Sequence, residues 1–82
     1  MSEMKTPEQK LVHMANQIAD YFRSFPEAES AAGVADHISK FWAPKMRGQL
    51  IAYADGGGAG LDALAAKAVG IVRAKDAAKK VA

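Results

Sequence analysis

A chain of 82 residues is long enough for one domain and no more, since ordinary domains run to about 100–150 residues. Half of it is apolar and 24% is charged, a globular composition rather than a disordered one. The lack of cysteine excludes disulfides, thiolate nucleophiles, zinc–thiolate sites and iron–sulfur ligation, and a net charge of +2 is too small to argue for nucleic acid.

In chain order the sequence reads as helices. Thr6-Pro7-Glu8-Gln9 has a capping-box pattern, in which Thr6 caps, Pro7 suits the first helical position and Gln9 reaches back. Leu11, Met14, Ala15, Ile18, Phe22 and Phe25 then recur at three- and four-residue steps, the periodicity of a helix. At about 100° per residue the apolar arc runs from Tyr21 through Ile18 to Val12 and covers roughly half the helix, more than one packing seam needs. Pro26 stops or re-aims the chain after Phe25. A second helix is predicted from about Glu27 to Trp42, with Glu27 and Glu29 in the first turn, where the macrodipole favours acids. Its stripe is Ala31, Val34, Ala35, Ile38, Phe41 and Trp42, so a neighbour should approach closely at the alanine end.

Pro44 biases Ala43 out of the α region, which ends the second helix near Trp42 and opens a third, short one to about Ala54. Met46, Leu50, Ile51 and Tyr53 are its apolar positions. Gly56, Gly57, Gly58 and Gly60 then make a flexible break. A fourth helix starts near Leu61 or Asp62, with the stripe Leu61, Leu64, Ala65, Ala68, Ile71 and Val72. Lys75 and Lys79 fall on the same stripe, so packing should end at Val72 even where helicity continues. Repeats and alternating strand patterns are absent, so the fold class is all-α: a small bundle of three to four short helices with a glycine-rich break before the last. The expected organisation is a disordered N-terminus over 1–5, one helical domain over 6–74 and a basic tail over 75–82. The tail holds the positive charge, because residues 1–60 carry six basic and seven acidic side chains. MSEMKTPEQK lacks the apolar core of a signal peptide, and no apolar run approaches the roughly 18–20 residues of a membrane span. The expected compartment is the cytoplasm.

Catalysis needs positioned acids, bases, nucleophiles or metals, and that inventory is thin. His13 and His37 are the only histidines, each beside an apolar stripe, where a boundary role is commonest. Asp36 and His37 are adjacent, but helix neighbours point about 100° apart and make no orienting pair. The glycine run follows a helix rather than a strand, and Leu61-Asp62 stands where a phosphate loop has Lys and Ser or Thr. Lys45 and Arg47 are more informative, since cations in a first turn oppose the helix dipole by about 0.3–1 kcal/mol each. Arg47 projects onto the apolar side between Ala54 and Ile51. Its stem either lies on Ile51 with the head in water, or its guanidinium meets a carboxylate or carbonyl on another surface.

Two segments carry a family resemblance. Met14-Ala15-Asn16-Gln17-Ile18-Ala19 with Tyr21-Phe22-Arg23, and Val34-Ala35-Asp36-His37-Ile38 with Lys40-Phe41-Trp42-Ala43-Pro44-Lys45-Met46-Arg47, resemble the delta subunit of soluble NAD-dependent molybdenum formate dehydrogenases. The resemblance spans most of the chain, and the Phe-Trp-x-Pro-basic-Met-Arg string is its most specific part. Lys45 stands where arginine is expected and Ala63 where proline is, so the last helix should start less sharply. The resemblance implies a non-catalytic subunit of a cytoplasmic complex that oxidises formate and passes electrons to NAD, with every cofactor on larger subunits and none on this chain. Its partner would be the molybdenum-bearing alpha subunit, whose assembly or stability it supports.

The resulting expectation is an accessory subunit that docks through Met14, Tyr21, Arg23, His37, Phe41, Trp42, Met46 and Arg47, with no catalytic, cofactor or metal residue. Two alternatives stay open from sequence: a transient assembly chaperone for cofactor insertion, and a helix-turn-helix-like nucleic-acid module presenting Lys45, Arg47 and Gln49. The net negative first 60 residues argue against the second, so no nucleic acid and no membrane is expected among the partners. Self-association of the isolated chain through uncovered apolar surface is a third open point.

Overall fold

The computed structural model describes residues 6–81, with side chains through Ala78. Its helices are α1 (Pro7–Phe22), α2 (Glu27–Phe41), α3 (Pro44–Asp55) and α4 (Ala63–Val81), and no strand occurs among the described residues. The fold is an all-α bundle. The expectation for residues 1–5 falls outside the described residues.

Thr6 caps α1 as its sequence predicts. The Thr6 hydroxyl accepts from the Gln9 N–H at 3.1 Å, and Gln9 Oε1 accepts from the Thr6 N–H at 2.9 Å. Two donors that a helix start leaves orphaned are thereby satisfied. At the start of α2 no side chain caps; the Pro26 carbonyl accepts from the Glu29 and Ser30 amides, and Glu27 and Glu29 sit in the first turn. Ala43 is extended at φ −63°, ψ 148°, as the residue before a proline should be, and Pro44 opens α3 at once.

The glycine run lies between α3 and α4, and its backbone is tied at several points. Gly57 N–H donates to Ala54 O and Gly58 N–H to Tyr53 O, each at 3.1 Å, the pairing of a Schellman motif. Gly57 has φ +130°, a conformation that residues with a Cβ rarely adopt. The Tyr53 hydroxyl donates to Ala59 O at 2.7 Å. Asn16 of α1 clamps the far end with both halves of its amide: Nδ2 donates to Gly60 O at 2.9 Å, and Oδ1 accepts from the Asp62 N–H at 3.1 Å. Asp62 then caps α4, its Oδ1 accepting from the Ala65 N–H at 2.9 Å. The start of α4 is therefore well defined without a proline at position 63.

α2 packs most extensively against α4 and next against α1, while α3 lies against α4 and α1. The shared core comprises Leu11, Ala15 and Ala19 of α1, Val34, Ala35 and Ile38 of α2, Trp42, Leu50 of α3, and Ala65, Ala68, Val69 and Val72 of α4. Ile38, Leu50, Val34, Val69 and Val72 are its largest fully buried side chains, each stabilising by about 1.5–3 kcal/mol. The alanines let backbones approach. Gly33 takes this furthest, because a Cβ there would stand 2.7 Å from the Phe22 ring, which lies directly on the α2 backbone. Packing also runs one turn past Val72: Asp76 Oδ2 accepts from Arg47 Nε at 3.3 Å. That extension is carried by an acid, which an apolar stripe does not register.

Candidate functional site

The apolar arc of α1 is wider than the seam its neighbours cover. Leu11, Val12, Ala15 and Ala19 turn inward, whereas Met14 stays 38% exposed and Tyr21 70% exposed. Phe25 and, at the end of α2, Phe41 are exposed as well, the latter at 72%. Between the two helices lies an open groove of about 590 Å³ lined by Met14, Gln17, Ile18, Tyr21, Phe22, His37 and Trp42.

Aromatic packing shapes this groove. The edge of Tyr21 meets Phe22 at 5.0 Å and 88°, and Phe25 lies 5.1 Å from Phe22. Such pairs contribute about 0.5–1.5 kcal/mol each beyond area burial, so the rings hold one another in place. Across the groove the His37 ring lies tilted by 43° against Phe41 at 4.8 Å, as an i, i+4 pair on one helix face can. Trp42 is only 6% exposed, yet lines the groove while belonging to the core. Gln17 and His37 are the polar members. The groove offers apolar area, aromatic anchors and two hydrogen-bonding groups, which suits recognition of a surface better than proton transfer. No group of three or more His, Asp or Glu among the described residues could hold a metal ion.

The eight residues singled out from sequence divide on this geometry. Met14, Tyr21, His37 and Trp42 come together in the groove, and Phe41 joins them through His37. Arg23, Met46 and Arg47 do not line it. Arg23 ends α1, where its Nη2 donates to Asp20 Oδ1 at 2.6 Å and to Asp62 Oδ2 at 2.7 Å, tying α1 to the cap of α4. Those two carboxylates, Asp20 first, push the arginine pKa above its ordinary value. Burial pushes the Asp62 carboxyl up, but hydrogen bonds from the Ala65 amide and Arg23 outweigh it and leave Asp62 below its ordinary value. Met46 packs against the core as a partly buried residue.

Arg47 finds its carboxylate and carbonyls inside its own chain. Besides the bond to Asp76, its Nη1 donates to Trp42 O at 3.1 Å and to Ser39 O at 3.4 Å. Its side chain is 12% exposed, so the head does not sit in water. Three further residues line the groove that the sequence does not single out for docking: Ile18 and Phe22, which fall on the periodic stripe of α1, and Gln17, which lies outside its apolar arc. The half-circle arc of α1 is a signal for Ile18 and Phe22, whereas nothing in the sequence marks Gln17. No periodicity signals the Asn16 clamp, because its partners lie 44 and 46 residues away.

A family model described as NADH-dependent formate dehydrogenase delta subunit, FdsD, matches residues 10–69, a span that contains every groove residue. Neither a curated protein nor a solved structure matches the chain.

Proposed function

The chain belongs to the NADH-dependent formate dehydrogenase delta-subunit family, and on that premise we propose that it is a non-catalytic accessory subunit docking on the molybdenum-bearing alpha subunit. The observation that carries this reading is the joined patch of Met14, Tyr21, Phe25, His37 and Phe41 around the α1–α2 groove. Scattered exposed apolar residues are ordinary, whereas a connected aromatic patch around a groove marks an interaction surface. The alpha subunit fills it with an apolar, weakly charged element, with Tyr21 and Phe41 as anchors. Docking supports assembly or stability by covering apolar surface on both partners.

The function is cytoplasmic and involves neither membrane nor nucleic acid. No helix among the described residues is long and apolar enough to cross a membrane. A groove-reading role for α3 would need Arg47, whose guanidinium is engaged by Asp76 and two carbonyls.

Tyr21→Ser and Phe41→Ser, each co-expressed with the alpha subunit, should lose co-purification while keeping the far-ultraviolet circular dichroism of the parent. Normal recovery of both variants would place docking on another face. Recovery of the parent chain in fixed proportion to the mature enzyme supports a permanent subunit, whereas its loss on maturation supports a transient assembly factor.

A further inference from the structure

Arg47 joins two features that are otherwise separate, the second half of α4 and the floor of the groove. α2 terminates at Phe41, and the last four carbonyls of any helix lack intrahelical partners. Ser39 O is one of these, and Trp42 O lies just beyond them in an extended residue at φ −90°, ψ 139°. One guanidinium nitrogen of Arg47 serves both carbonyls, while Nε–H is directed at Asp76 of α4. A cation also suits the negative end of the α2 dipole. Arginine is the side chain for this task, since its planar fork presents donors in several fixed directions and lysine presents one compact ammonium. Through Trp42 O the fork holds the backbone from which the Trp42 indole reaches the groove.

We propose that Arg47, oriented by Asp76, is a positioning residue that latches the α2–α3 elbow and keeps the Trp42 indole in the floor of the docking groove. The role rests on the docking reading only for its consequence in binding; its consequence for Trp42 stands by itself. Releasing the latch frees the elbow, and Trp42 gains exposure while the helices persist. The groove then meets its partner less well organised, because an extra side chain must be ordered on binding.

Trp42 is the sole tryptophan, so emission from the isolated chain, excited at wavelengths tyrosine does not absorb, reports this residue alone. Arg47→Ala and Arg47→Lys are compared with Val34→Ala, which opens a cavity in the core two turns of α2 away from Trp42. Both Arg47 variants should show red-shifted emission and stronger acrylamide quenching at unchanged far-ultraviolet circular dichroism, and Val34→Ala should show neither. Affinity for enzyme lacking this chain should fall about three- to tenfold in the Arg47 variants, the scale of ordering one free side chain. If Arg47→Ala fails to fold, Arg47→Lys decides. Parental emission and quenching in folded Arg47→Lys, or an equal red shift in Val34→Ala, overturns the latch. Parental affinity for Tyr21→Ser and Phe41→Ser instead overturns docking through the groove and leaves the Trp42 readout intact.

Discussion

Gly33 provides a substitution whose sign follows from opposing terms that can be separated. Replacing an interior helical glycine by alanine gains about 0.8–1 kcal/mol of helix propensity. Against this, the new Cβ would lie 2.7 Å from two atoms of the Phe22 ring and 3.3 Å from a third, so the ring must move. It is held by Tyr21 at 5.0 Å and Phe25 at 5.1 Å. Disturbing both aromatic pairs loses about 1–3 kcal/mol, within the usual range for overpacking. The net effect of Gly33→Ala is a destabilisation of about 1 kcal/mol, which lowers Tm by roughly 4–8 °C in a domain of this size. In a Phe22→Ala background the clash is gone, and the same substitution should raise Tm by a similar amount. The cycle, followed by circular dichroism at 222 nm, then yields a coupling of about 2 kcal/mol. A rise in Tm for Gly33→Ala in the parent chain, or an identical change in both backgrounds, would refute the proposed seating of the ring.

Asn16→Ala removes both amide contacts to the glycine loop and should lower stability by about 1–3 kcal/mol, at the smaller end because the site is partly solvated. An unchanged urea midpoint would show that the loop does not depend on the clamp. Asp62 has a folded-state pKa below its ordinary 3.8, so its contribution is complete above that value and is lost as pH falls through the lower folded-state value. Asp62→Asn should therefore lower Tm at neutral pH and flatten the acid limb of a Tm–pH curve. A parental acid limb in the variant contradicts the assignment.

The helices were legible because punctuation and periodicity agree. Pro7, Pro26 and Pro44 mark starts and stops by local sterics, and the glycines end α3 because Gly57 adopts a positive φ. The groove was half legible: the wide arc of α1 signals uncovered surface, and Met14 and Tyr21 are where that arc is left exposed. Three features were not legible, each for the same reason. Asn16 looks solvent-facing on an isolated helix, since the Gly60 and Asp62 backbone groups it meets arrive only with the tertiary fold. Arg47 looks like an outward-reaching cation until α4 brings Asp76 against it. Gly33 looks like a weak point in α2 until the Phe22 ring occupies the space above it. A helical projection carries one element's pattern, whereas these contacts belong to pairs of elements far apart in sequence.

The central claim is that assembly covers the α1–α2 face, and side-chain oxidation can measure this directly. Hydroxyl-radical footprinting of the isolated chain and of the purified formate dehydrogenase complex would compare Met14, Tyr21 and Phe41, which are open in the free chain, with exposed Lys75 of α4 as an internal reference. Strong protection of those three in the complex, with little change at the reference, is the expected result. Equal labelling of Met14, Tyr21 and Phe41 in the free and assembled states would contradict the account.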